Sequence, residues 1–285
     1  MLAGGRSTRM GRPKANLEWH GSTLLHRVTG IVSRAVDGPV VVVRASDQEL
    51  PALPPGVRVV EDAAEGRGPL QGLAAGLAAV AGESEVAYVS STDVPLLHPA
   101  FVRAVVGVAN DGSATGTGAT GDPVDVALPI VHGYRHPLAA AYRTSLLPAV
   151  EELIAEDRMR PAFLFERSRV RELGEEDLLA NPELAAADPE LLSVLNLNEP
   201  DDYERARARA APSVTVRRFG TLATNLGREP IAIRAATLEA AARAAGVALD
   251  RHVVAALNGD QITRDPELPL ARGDEIAFLA ADAGG

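Results

Sequence analysis

Two spacings of apolar positions alternate along the first two thirds of the chain. Short β-branched runs, PVVVVR at 39–44 and VAYVSS at 86–91, suit strands buried on both faces, and VRVV at 57–60 is a shorter third candidate. Between them the spacing turns helical. Leu24, Leu25, Val28, Ile31, Val32 and Ala35 form one apolar face, with Ser22 placed to cap that helix. Pro69 suits the first turn of PLQGLAAGLAAVA, and Pro99 and Pro137 mark two further helix starts. Strands separated by helices predict an α/β domain with a mostly parallel sheet and right-handed crossovers.

Near residue 211 the order changes. ERARARAAPS ends a helix and enters a linker, which sets a first domain over 1–205, a linker over 206–212 and a second domain over 213–285. In the second, strands at 213–219 and 230–234 precede a helix at 237–245. A strand at 252–258, a turn at NGD and a last strand at 274–279 complete a small α+β domain. GSATGTGATG at 112–121 is expected to be a loop.

Composition narrows the chemistry. A net charge of −10 argues against non-specific binding to nucleic acid or anionic membrane. The absence of cysteine excludes disulfides, thiolate metal sites and a cysteine nucleophile. There is no span-length apolar stretch and no signal-peptide pattern, so a cytoplasmic protein is expected. Of the 28 basic residues only Lys14 is a lysine, which singles it out. It ends the stretch LAGGRSTRMGRPK, whose glycines 4, 5 and 11 allow a close approach of backbone to a ligand. Such a loop can point N–H groups at phosphate, with Arg6, Arg9 and Lys14 adding charge, or it can be an ordinary turn with solvated arginines. Asp93 follows the strand VAYVSS, where ligands of open α/β sheets bind, and a hard cation there needs few protein carboxylates. With the phosphate loop beside it, this favours a metal role over an Asp that opens a turn before Pro95. Asp125 is a weaker second carboxylate. Asn196 and Asn198 share one side of an extended segment, either capping the next helix or reaching a site. His132 and His136 read as loop residues, with HPL as a helix start.

The string LAGGRSTRMGRPKANLEWHGSTLLHRV resembles the signature of the MobA-type molybdenum cofactor guanylyltransferases, within the wider nucleotidyltransferase family. EDAAEGRGPLQGLAAGL, STDVPLL, HPLAAAYR and LNLNEPDDY continue the resemblance in order over residues 1–205. The resemblance implies a Rossmann-like nucleotidyltransferase fold that binds GTP and molybdopterin. It further implies that Leu2, Ala3, Gly4 and Gly5 line the nucleoside side, that Arg9 and Lys14 face the triphosphate and that Asp62 helps hold the nucleotide. Asp93 would bind Mg2+, and Asn196 and Asn198 would reach the active site. Where the family often has an asparagine after its second strand, this chain has Arg44, Ala45 and Ser46. Glycines at 4 and 5, where related cytidylyltransferases usually carry LAAG, favour a purine; a cytidylyl or sugar-phosphate transferase is the alternative. The family also has a strand before LAGG, so a late start or a truncation of the first strand is expected.

The tail AFLAADAGG ends on Gly284 and Gly285. With VRRFGTLATNLG, VAALNGDQI and LARGDEIAFL, it resembles the β-grasp, ubiquitin-like sulfur carriers of the MoaD type, or the similar ThiS type. The resemblance implies adenylation and thiocarboxylation at Gly285, with an E1-like adenylating enzyme and the molybdopterin synthase large subunit as partners. A bifunctional protein of cofactor biosynthesis is the leading expectation, and a non-catalytic scaffold carrying a sulfur carrier is the rival.

Overall fold

The computed structural model describes residues 1–4, 13–62, 67–111 and 124–280. Two compact units divide the chain: Met1–Leu17 with Leu24–Asp202, and Glu18–Thr23 with Tyr203–Gly285.

In the first unit the β-branched run becomes β1 (Val41–Ala45), paired in parallel with β2 (Arg58–Asp62) from Val41↔Arg58 to Ala45↔Asp62. The other side of β1 meets the first three residues of the chain. The Val43 amide donates to the Met1 carbonyl at 2.8 Å and the Ala3 amide to the Val43 carbonyl at 2.9 Å, while the Leu2 amide donates to the Ser90 carbonyl at 2.7 Å. Leu2 thereby forms parallel bridges to Val43 and to Ser91, at the end of β3 (Val86–Ser90). A cavity of about 360 Å³ lies between the starts of these strands, with Met1, Val41, Leu77 and Tyr88 among its walls.

Beyond β3 the sheet departs from expectation. HPLAAAYR does not open a helix: Pro137 lies in a turn, and β5 (Ala139–Arg143) runs antiparallel to both β3 and β4 (Val126–Val131). β6 (Val170–Leu173) returns parallel to β4. The expected mostly parallel sheet is therefore mixed. The physical reason is burial: Ala139, Ala140, Ala141 and Tyr142 are all buried, and between two other strands the helix propensity of alanine yields to sheet packing. The longest helices described in this unit are α1 (Leu24–Ser33), α2 (Pro69–Val80), α3 (Pro99–Asp111) and α4 (Leu147–Ala155). Leu70, Leu73 and Leu77 of α2 pack with Val89, Val126, Leu128 and Tyr142 in one core cluster. Leu25 of α1 packs with Ala3, Ala15 and Val42 in another.

The second unit holds a five-stranded sheet. Its strands are β7 (Ser213–Phe219), β8 (Ile231–Arg234), β9 (Val253–Leu257), β10 (Gln261–Thr263) and β11 (Glu275–Ala280), in the order β8-β7-β11-β9-β10. β7 and β11 are parallel and the remaining pairs antiparallel. α5 (Thr221–Leu226) follows Gly220, at φ 60°, and was not legible among the expected strands. α6 (Leu238–Ala244) begins at Thr237, whose hydroxyl accepts the Ala240 amide at 3.3 Å. Leu238 and Ala241 pack under Val214, Val216, Ile276 and Phe278. Ser22 is not a helix cap. It lies in a short hairpin with Glu18–Trp19, and its hydroxyl donates to Glu267 at 3.0 Å. Among the described residues no helix is long and apolar enough to cross a membrane.

Candidate active site

The carboxyl ends of β1, β2 and β3 open into a pocket of about 450 Å³. This is where an α/β sheet places ligands, because loops splay apart there and helix N-termini point inward. Leu2, Ala3 and Gly4 form one wall of it. Lys14 and Asp93 face the same space, and Asp62, the last residue of β2, lines it as well. Six residues singled out in the sequence thus meet in one cavity. Gly5 and Arg9 lie outside the described residues, as do the 112–121 loop and Gly285.

The Lys14 ammonium donates to Oδ2 of Asp93 at 2.9 Å, with the two side chains only 18% and 19% exposed. Oδ1 of the same carboxylate accepts the Ser91 hydroxyl at 2.5 Å. Both carboxylate oxygens are thereby engaged, and the aspartate is fixed in orientation. Its loop is held from behind as well. The buried Arg27 of α1 donates Nε to the Pro95 carbonyl, and the Leu197 amide donates to the Asp93 carbonyl at 2.8 Å. That last bond brings the LNLN segment beside the site. Asn196 and Asn198 are both exposed, however, and neither lines the pocket. The helix that follows is capped by Asp202, which accepts the amides of Asn198 and Glu199 at 3.1 and 2.9 Å.

The opposite wall is the start of α2. Gly68 has φ 119°, a value closed to other residues at modest cost, and a Cβ there would stand 3.3 Å from the Met159 carbonyl. A Cβ on Gly72 would stand 3.1 Å from Cδ2 of Leu2, so α2 approaches the N-terminal segment as closely as a glycine allows. The N-terminus of α2 borders the pocket through Gly68, Pro69 and Gly72, which places the positive end of the helix dipole beside it. Together with Lys14 this arrangement suits an anionic ligand.

Other candidates lie elsewhere. Arg169 binds Asp125 through two guanidinium nitrogens, at 3.1 and 2.9 Å, and through its amide at 2.9 Å. These bonds hold the Asp125 carboxyl below its usual range against a smaller opposing effect of burial, and Asp125 is not a pocket residue. His132 meets Glu175 at 3.5 Å, and His136 faces the Val131 carbonyl at 3.3 Å, with burial lowering its pKa. Arg44, one of the three residues near where an asparagine was expected, bonds Glu61 and the Gln48 carbonyl, at 2.8 and 2.9 Å. Sequence reasoning missed Gln48, Ser91, Arg27 and Gly72. For Ser91 the signal was its place two residues before Asp93; the others depend on tertiary contacts.

Residues 1–170 match the family described as the MobA-like NTP transferase domain. A probable molybdenum cofactor guanylyltransferase of Mycobacterium avium is 34% identical over 64% of this chain and 87% of its own length. One of Pelotomaculum thermopropionicum is 30% identical over 76% of this chain and 95% of its own. A solved structure titled molybdopterin-guanine dinucleotide biosynthesis protein A, from Archaeoglobus fulgidus, superposes with a TM-score of 0.54, at 23% identity, over 72% of this chain and 94% of that one. At that identity the likeness speaks for the fold. The family match spans more than half of the chain; the protein is a nucleotidyltransferase belonging to the MobA-like NTP transferase family.

Proposed function

We propose that the first unit transfers GMP from GTP to molybdopterin, or its molybdenum form, and releases diphosphate. The observation that carries this reading is the Lys14–Asp93 pair facing Leu2–Gly4 across one pocket, in a chain whose relatives are named molybdenum cofactor guanylyltransferases. A terminal phosphate oxygen of the acceptor attacks the α-phosphorus of GTP. The bond from that phosphorus to the bridging oxygen breaks, and the electron pair leaves with diphosphate. A phosphate monoester is already a nucleophile at neutral pH, so the chain needs no general base. Its task is to position the reactants and neutralise charge.

In this reading the backbone of Leu2, Ala3, Gly4 and Gly5 borders the nucleoside, and Asp62 steadies it. Lys14 and Arg9 hold the triphosphate, and the dipole end of α2 adds positive potential. Asn196 and Asn198, which flank Leu197 outside the pocket, would meet the acceptor only at the rim. The donor set fits Mg2+. The described residues include no cluster of three or more carboxylates and imidazoles, and a magnesium site of this kind takes one or two carboxylates and completes itself with phosphate and water. Asp93 would hold the ion, which when bound polarises the phosphates and offsets charge on the leaving diphosphate. Lys14 would then exchange its bond to Asp93 for a phosphate oxygen. The test is diphosphate release from GTP or CTP with purified molybdopterin, with the product identified by mass. A guanine dinucleotide formed only from GTP is expected, and turnover of CTP alone, or of neither, would defeat the assignment.

The second unit supports a second reading. A central parallel pair, β7 and β11, with a helix packed on one face and β11 leading toward Gly284–Gly285, is the arrangement a β-grasp sulfur carrier needs. The carrier reading assigns Gly285 to adenylation by an E1-like enzyme and to thiocarboxylation for the molybdopterin synthase large subunit. Incubation with an adenylating enzyme, ATP and a sulfur donor should exchange one oxygen of the terminal carboxylate for sulfur, visible in the intact mass.

A further inference from the structure

The parallel ladder between the N-terminal segment and β1 stops one rung early. Val43 donates to Met1 and accepts from Ala3, as a residue facing a parallel neighbour does. The next rung in that pattern is Ala45 N–H to the Ala3 carbonyl. Instead the Gln48 side chain occupies the gap. Its Oε1 accepts the Ala45 amide at 3.3 Å, and its Nε2 donates to the Ala3 carbonyl at 2.9 Å. The carboxamide orientation follows from its partners, since one is a donor and the other an acceptor. The side chain is also held in place from its own backbone. The Gln48 amide closes a turn onto the Ala45 carbonyl at 3.1 Å, and the Gln48 carbonyl accepts from Arg44.

An inserted carboxamide keeps both backbone groups bonded while holding the two strands further apart than a direct bond would. Ala3, Gly4, Ala45 and Gln48 all line the pocket, so the splayed stretch is one of its walls. Asp62 stands across from Ala45 in the β1–β2 register, which puts the splay beside the residue assigned to the nucleotide. We infer that Gln48 is a positioning residue for nucleobase selection: as a substitute rung it holds the Ala3 carbonyl and Gly4 off β1, just past the point where the Ala3 amide still bonds Val43 directly. This rests on the guanylyltransferase reading and adds to it the side chain that shapes the base slot.

The test uses the full chain with Gln48→Ala, Gln48→Glu and Gln48→Met. Glutamate keeps the acceptor for Ala45 but cannot donate to Ala3; methionine keeps the length and neither bond. Steady-state KM and kcat are measured with GTP and CTP beside thermal unfolding. All three variants are expected to raise the KM for GTP about tenfold, the loss of one to two net hydrogen bonds, and to leave kcat within about twofold. The preference for GTP over CTP should shrink, with unfolding temperatures lowered by only about 2–4 °C. An unaltered KM, or a parallel fall of kcat and unfolding temperature, would overturn the inference and leave Gln48 an ordinary structural residue. The two readings fail separately. A wild type that prefers CTP refutes the guanylyltransferase assignment, while the rung is judged by whether the preference changes between wild type and variant.

Discussion

At the scale of single residues, the site rests on opposite charges that compensate one another on two largely buried side chains. Lys14 and Asp93 each lose a partner if the other is removed. Lys14→Ala and Asp93→Ala are therefore expected to lower GMP transfer by about 10²–10³ while leaving the fold intact, comparable to removing one donor from a preorganised anion site. Initial rates at saturating Mg2+ and far-ultraviolet circular dichroism would check both halves of that expectation; retained turnover in both variants would remove these residues from the site. Asp125 offers a contrast, since its bonds serve the fold. Arg169 lowers its pKa in the folded state, so the contribution of this carboxylate is present above its unfolded value near 3.8 and is lost as pH falls through the lower folded value. Urea unfolding of Asp125→Asn should show a stability deficit at pH 7 that closes on acidification below about 4. Lys14, Asp62 and Asp93 were legible because each stands in a recognisable string, and the lysine also because the chain has no other. Gln48 was not, since its task exists only where a turn after β1 returns a carboxamide to the neighbouring segment.

Elements show the limits of pattern more sharply. The apolar runs at 39–44 and 86–91 have the β-branched composition of strands and become β1 and β3. HPLAAAYR carries the composition of a helix and becomes β5, because the slot between β3 and β4 admits only an extended backbone with small, buried side chains. Tyr142 closes that run, and its hydroxyl donates to the Pro137 carbonyl at 2.8 Å, which fixes the turn where a helix start was expected. α2 was legible in length and in its proline start, but the reason for its glycines was not. Gly68→Ala would force a Cβ into φ 119° and against the Met159 carbonyl, and is expected to cost about 1–3 kcal/mol. Denaturant titration with an unchanged m-value measures it. Because Gly68 opens the helix whose first turn faces the pocket, the same variant should also weaken GTP binding in calorimetry.

For the whole molecule, the change in element order near residue 211 separates the two proposed chemistries, and each unit keeps its own core. The residues assigned to GMP transfer that the structure describes belong to the first unit, whereas the strand that leads to the two terminal glycines belongs to the second. If each site draws on its own unit for chemistry, the two activities separate by mutation. Lys14→Ala should lose GMP transfer and still accept sulfur at Gly285, scored by intact mass after incubation with an adenylating enzyme, ATP and a sulfur donor. Removal of Gly284 and Gly285 should do the reverse: no carboxylate remains at the position where the adenylate forms, yet KM and kcat for GTP stay at their wild-type values. A fall in GTP turnover on removing those two glycines would mean that the transferase draws on the tail, and the proposal of two independent sites would have to be given up. Sulfur transfer lost in the Lys14 variant would refute independence from the other side.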